Sequence, residues 1–169
     1  MGVRKSDIAR PDPKLCVGTI MLEPKRLKEG KKFHKKVQSE WIGDDDATGH
    51  IIIEKGIIKP SGRKGRVDVF VDPEQPLVAI AEVKDTDWDD MTETTVRRNI
   101  RRQVRQIWDY IESQLSEEKD VCPAVIFSKK PKTEGRIEMI ETLFHKEGIQ
   151  VVWDDETIVE CRKRNSARL

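Results

Sequence analysis

Three short apolar runs follow one another between His50 and Lys84: HIIIEKGIIK, RVDVFV and LVAIAEVK, separated by SGRKG and DPEQP. Runs of β-branched and aliphatic residues bounded by glycine- and proline-rich turns read as strands. Connections this short favour antiparallel pairing, so the three segments form a meander, and an all-helical fold is excluded. The second and third strands nevertheless carry ionisable residues, Asp68 in one and Glu82 with Lys84 in the other. An unpartnered buried charge is expensive, so these groups are either exposed or put to use.

Upstream, LKEGKKFHKKVQSEWI sets Phe33, Val37 and Trp41 four residues apart, the stripe of an amphipathic helix from about Leu27, and GDDDATG breaks it. Downstream, the acidic DTDWDDMTE leads into a long helix from about Thr92 to Leu115 with the stripe Val96, Ile100, Val104, Ile107 and Ile111. Asp90 and Glu93 read as its capping box, and acids suit the positive end of a helix dipole. VCPAVIFS is nearly all apolar, as expected of a central strand. EGRIEMIETLFHKEG is a second amphipathic helix ending at Gly148, and IQVVW a last strand. This order predicts a mixed sheet with helices on both faces, an α/β fold in one domain over 27–160. An irregular arm with Pro11, Pro13 and Pro24 precedes it over 1–26, and a basic tail, CRKRNSARL, follows over 161–169.

A chain of 169 residues fits one domain with a real core. Its 32 basic and 31 acidic residues nearly cancel, so any contact with nucleic acid must come from local patches. Cys16, Cys122 and Cys161 are odd in number and far apart, which argues against a disulfide framework or zinc site and fits a reducing, cytoplasmic setting. No apolar run is long enough to span a membrane or to act as a secretory signal. MGVRKS fits the loose Gly2/Ser6 myristoylation pattern, a short signal for an acyl chain that alone anchors weakly.

Side chains alternate along a strand, so Ile80, Glu82 and Lys84 share one face, and the DPEQP turn returns Asp68 to their side. Paired carboxylates offer hard oxygens that suit magnesium or manganese rather than zinc. A metal there would polarise a phosphoryl oxygen and lower the pKa of a bound water. The lysine would orient or deprotonate that water, or neutralise charge growing on the phosphate. The competing reading is a cross-strand ion-pair ladder on an exposed sheet face. Ile80 on the same face, and the helices needed to cover the sheet, weigh against it.

Asp68 followed by Glu82-Val83-Lys84 at the end of the next strand resembles the D…(D/E)xK signature of the restriction-endonuclease-like, or PD-(D/E)XK, nucleases. The order of elements from Leu27 to Trp153 is similar to their αβββαβ core. Gln106 and Tyr110 in QIWDY resemble the QxxxY motif of the RecB-like branch; four residues apart, they share a helical face, as does Gln103 one turn earlier. The resemblance implies magnesium-dependent hydrolysis of phosphodiester bonds. Asp68, Glu82 and the Val83 carbonyl would then hold the metal, and Lys84 would act on the attacking water. Val67 stands where the family often has proline. Many members add a glutamate from the first helix; His34 and Glu40 are the candidates here, of which Glu40 is chemically the better magnesium ligand.

Arg97, Arg98, Arg101, Arg102 and Arg105 on the long helix, with Arg63, Lys64 and Arg66 in SGRKGR, offer basic surfaces for a phosphate backbone or solvated faces neutralised by nearby acids. Trp88 could stack on a base but reads more readily as a partly buried aromatic. His50 and His145 read as structural or exposed. The leading expectation is a magnesium-dependent DNA endonuclease. Its rivals are a non-catalytic nucleic-acid-binding or assembly module on the same scaffold and a toxin-like ribonuclease, which lacks an aromatic base-stacking platform here. No helix-turn-helix or zinc finger is recognisable to read base edges, and a homodimer or a partner protein could supply specificity.

Overall fold

The computed structural model describes residues 23–45, 50–73 and 76–166. The arm to residue 22, with MGVRKS and Cys16, lies outside these residues, as do 46–49, 74–75 and 167–169. Among the described residues nine elements follow in order: α1 (Lys25–Asp45), β1 (Ile51–Ile58), β2 (Lys64–Val71), β3 (Leu77–Lys84), α2 (Glu93–Leu115), β4 (Asp120–Phe127), α3 (Arg136–His145), β5 (Gln150–Trp153) and α4 (Ile158–Ser166).

The strands form one mixed sheet in the order β1-β2-β3-β4-β5. β1, β2 and β3 pair antiparallel, the expected meander, while β4 and β5 run parallel to β3. Both parallel steps move the same way across the sheet, and right-handed crossovers then place α2 and α3 on one face. There Val96, Ile100, Ile107, Ile140 and Phe144 pack with Val78, Ile80, Val125 and Phe127. α1 covers the opposite face, where Phe33 and Val37 meet Val69, Ala81, Val83 and Ile126. The chain is therefore α/β with helices on both sides of a mixed sheet.

β1 and β2 change faces partway along. Ile51 and Ile53 pack on the α1 side, yet Ile57, of the same parity, packs on the α2 side. In β2, Val69 faces α1 whereas Val67 joins the α2 core. Strict alternation forbids both, so each strand is rotated once between these residues. The rotation falls at Glu54, a non-glycine residue with φ of 53°, and at Asp68 opposite it, where the ladder skips from Ile53↔Val69 to Lys55↔Val67. Beyond this point β2 approaches α2 so closely that a Cβ on Gly65 would lie 3.1 Å from the Tyr110 ring and 2.8 Å from Lys59.

Three boundaries differ from the sequence reading. α1 begins at Lys25, inside the segment read as an irregular arm. α2 is capped by Thr92, whose hydroxyl accepts from the Thr95 amide at 3.4 Å, while Asp90 reaches Arg26 at 3.3 Å instead of forming a capping box. Most of the segment read as a basic tail is helix α4. Its aliphatic residues Ile158 and Val159 are exposed, so no apolar stripe announces it. It is tied down by Arg164, whose guanidinium donates to Glu141 at 2.7 Å and to Glu156 at 2.7 and 2.8 Å.

Candidate active site

Glu82 and Lys84 project from the C-terminal half of β3 toward α2, on the side of Ile80, as alternation requires. Glu82 is only 2% exposed, which excludes the exposed ion-pair ladder. Lys84 Nζ donates to Glu82 Oε2 at 2.5 Å, and Gln106 Nε2 donates to the same oxygen at 2.9 Å. Gln106 also donates to the Tyr110 hydroxyl at 2.8 Å, so the two residues of QIWDY act as a unit, one turn of α2 bracing the glutamate. Glu82 Oε1 is buried and has no hydrogen-bond partner.

Asp68 arrives by a different route. The β2–β3 ladder ends at Val69↔Ala81, and beyond it the strands part. Asp68 Oδ2 bridges the gap by accepting from the Val83 amide at 2.8 Å. The contact thus uses the amide of Val83, whose carbonyl the family resemblance assigns to a metal. Asp68 Oδ1 lies 3.8 Å from His34 Nδ1 on α1. Burial pushes the Glu82 carboxyl up to about 7, with the negative charge of Asp68 adding to the rise and Lys84 opposing it. Tyr110, 3% exposed, is pushed up to about 12, first by burial and then by the charge of Glu82.

A carboxylate held near neutrality beside another, with one oxygen unpartnered, needs a proton or a cation to complete it. The oxygen donors suit magnesium or manganese. Among the described residues no three His, Cys, Asp or Glu side chains converge as a metal site. Two carboxylates with water and phosphate oxygens making up the rest is the arrangement magnesium accepts.

Of the two first-helix candidates, His34 is the one that lies beside Asp68. Glu40 is six residues further on, about 9 Å along the axis and turned to another face. Its side chain is 57% exposed, 3.7 Å from Lys36, and it borders an apolar groove with Val37, Trp41 and Val71.

Above Lys84 and Gln106, α1 and α2 wall a cleft of about 920 Å³. Arg26, Lys28, Lys31, Lys32 and Lys35 line it from α1, and Arg102 from α2, against the acids Glu23, Glu54 and Asp85. Of the basic residues expected to meet nucleic acid, Arg102 alone lines this cleft. Arg97, Arg101 and Arg105 follow one another at fourfold spacing on a different stripe of α2 and line a groove toward α3 with Trp108 and Leu143. Arg98 is exposed one turn before Arg102, and Arg63 is exposed in the β1–β2 turn. Lys64 lines a separate pocket with Lys55 and Glu112, and Arg66 pairs with Glu54 at 2.7 Å. The α1 cations escaped the sequence reading, although KRLKEGKKFHKK displays them; they were absorbed into the polar face of an amphipathic helix.

Trp88 is 1% exposed and packs edge-on against Phe127 at 5.1 Å, so it offers no base platform. His145 closes α3 on the surface, and the His50 carbonyl accepts from the Asp72 amide. Among the described residues no helix is long and apolar enough to cross a membrane. No protein-family model matches the sequence, and no curated protein does.

Proposed function

We propose that the chain is a magnesium-dependent nuclease of restriction-endonuclease-like architecture that hydrolyses phosphodiester bonds, with DNA the favoured substrate and manganese able to replace magnesium. One observation carries the reading: the buried, incompletely partnered carboxylate of Glu82 stands with Asp68 and Lys84 beneath a cleft walled by cations. Asp68 and Glu82 would hold the metal, which when bound supplies Lewis-acid polarisation of a phosphoryl oxygen. The α1 cations and Arg102 bind flanking phosphates and fix the strand over Lys84. Lys84 orients the attacking water and offsets charge on the phosphate as the bond breaks. Gln106, braced by Tyr110, holds Glu82 Oε2 and keeps Oε1 directed away from it.

The test uses supercoiled plasmid, single-stranded DNA and RNA, each with and without magnesium. Cleavage of plasmid that needs the metal and disappears in Glu82→Ala and Lys84→Ala is the expected result. Undiminished metal-dependent cleavage by the double variant would falsify the mechanism. A second reading, a nucleic-acid-binding module without catalysis, is favoured by the 2.5 Å contact in which Lys84 already neutralises Glu82 internally. Calorimetry separates the two: absence of magnesium or manganese uptake at millimolar concentration selects the second.

A further inference from the structure

Among the described residues, five buried side-chain polar atoms lack a partner, and three of them belong to one region: Glu82 Oε1, Gln103 Oε1 and Gln38 Nε2. Gln103 and Gln38 both line the α1–α2 cleft, together with Lys84 and Gln106. Gln103 is 5% exposed, one turn before Gln106 on the face of α2 that looks toward the glutamate. A buried amide oxygen with no donor is costly, and an apolar side chain of the same volume would remove that cost. The neighbouring core positions Ile100 and Ile107 show that α2 accommodates such side chains.

The cations of the cleft call for a ligand with phosphates, but phosphates cannot complete Gln103. Phosphodiester and deoxyribose oxygens only accept hydrogen bonds, and Gln103 Oε1 also accepts. Phosphate oxygens can complete Gln38 Nε2, which donates, whereas a ligand that completes Gln103 Oε1 brings a donor of its own. A nucleic acid strand has two kinds: the N–H groups of its bases and, in RNA, the ribose 2′-hydroxyl. We propose that Gln103 Oε1 accepts a hydrogen bond from the bound nucleotide strand while Gln38 Nε2 on α1 donates to an acceptor oxygen of the same strand, so that the cleft reads a base N–H or a 2′-hydroxyl as well as phosphate. This rests on the nuclease reading to the extent that it takes the cleft ligand to be a nucleic acid.

Binding of short, equally long single strands to the wild-type protein, followed by fluorescence anisotropy in EDTA so that no strand is cut, tests it. The probes are thymidine DNA, uridine RNA and abasic DNA built with tetrahydrofuran residues, which carry neither a base N–H nor a hydroxyl donor. Abasic DNA is expected to bind about fivefold or more weakly than the best strand, the worth of one hydrogen bond to a buried acceptor. RNA binding above DNA assigns the donor to the 2′-hydroxyl; DNA equal to RNA, both above abasic, assigns it to the base. Gln103→Met should shrink that gap while melting no lower than wild type, because it removes an unmade hydrogen bond.

Equal binding of all three strands, a gap that survives Gln103→Met, or a clear fall in melting temperature or failure to fold of Gln103→Met would each overturn the subsite. So would the absence of binding by every strand. Binding with the expected discrimination but no hydrolysis on adding magnesium or manganese overturns the nuclease reading alone.

Discussion

Glu82 on β3 and Glu141 on α3 are equally sealed from water, 2% and 3% exposed. Around Glu141 the donors are divided between the oxygens: Trp153 Nε1 gives its hydrogen to Oε1 at 2.8 Å and Arg164 Nη1 gives one to Oε2 at 2.7 Å. Around Glu82 both donors, Lys84 and Gln106, crowd onto Oε2, and Oε1 is left without one. The first arrangement anchors α4 to the domain. The second leaves one buried oxygen to be completed by a proton or a cation. Burial alone therefore does not distinguish the two carboxylates; the distribution of donors does.

The largest expected effect breaks the pair apart by readout. Glu82→Gln should reduce cleavage about a thousandfold, several kcal/mol of transition-state stabilisation, while leaving the urea midpoint unchanged or higher. Glu141→Ala should do the reverse, because removing one partner from a buried ion pair costs about 3 kcal/mol, seen as a lower urea midpoint with activity per folded molecule retained. Activity surviving Glu82→Gln, or a midpoint unmoved by Glu141→Ala, would erase the distinction.

How much of this contrast was legible in the sequence differs between the two sites. Glu82 lies in an alternating strand with Lys84 two residues on, so its direction and company follow from the period of a strand, and Gln106 and Tyr110 follow from the period of a helix. The meander, both crossover helices and the two apolar faces were readable for the same reason. Asp68 was placed in the right strand, but its position depends on a rotation at Glu54 that strict alternation does not contain. Between Glu40 and His34, residue type favours Glu40, whereas helical phase turns it to a different face of α1 from His34. Glu141 and Arg164 could not be paired from spacing, since their partnership depends on α4, a helix with no apolar stripe. Its start was nevertheless written in Thr157 and Glu160, whose side chains exchange hydrogen bonds with each other's amides at 3.3 and 2.8 Å, the reciprocal cap of a T-x-x-E start.

The next effect is on pH dependence. Glu82 titrates from an ordinary value of 4.5 in the unfolded chain to about 7 in the fold, chiefly because burial penalises its charge. The folded state holds the proton more tightly, so this group's contribution is fully present below the unfolded value and is lost as pH rises through the folded one. Its size is on the order of 3 kcal/mol. In EDTA, stability measured by urea unfolding should fall between about pH 5 and pH 8, and Glu82→Gln should flatten that fall. Asp89 marks the acid side with the opposite sign. Its carboxylate accepts from the Lys132 and Thr133 amides and is held down at about 2, so its contribution disappears as pH falls toward that value.

A smaller step adds the cation. Magnesium at ten times its Kd should stabilise the wild-type protein by about 1.4 kcal/mol, read as a rise in melting temperature above pH 7, where Glu82 is ionised without its aid. Glu141→Gln, if folded, should keep this increment, and Glu82→Gln should lose it. An increment of equal size in Glu82→Gln would place the cation elsewhere on this charged surface.

The smallest effect removes one donor or acceptor at a distance from each glutamate. Tyr110→Phe deletes the hydroxyl that accepts from Gln106 and leaves the Gln106–Glu82 bond in place. The net loss for one such hydrogen bond is about 1 kcal/mol. If the Gln106–Tyr110 unit exists to aim Glu82, that loss should appear as about a fivefold fall in kcat for cleavage, with the unfolding midpoint changed little. Trp153→Phe, which removes one of the donors to Glu141, should lower the unfolding midpoint and leave kcat alone. Matching losses of stability in both variants, with kcat untouched in each, would mean that the bracing of Glu82 serves the fold just as that of Glu141 does.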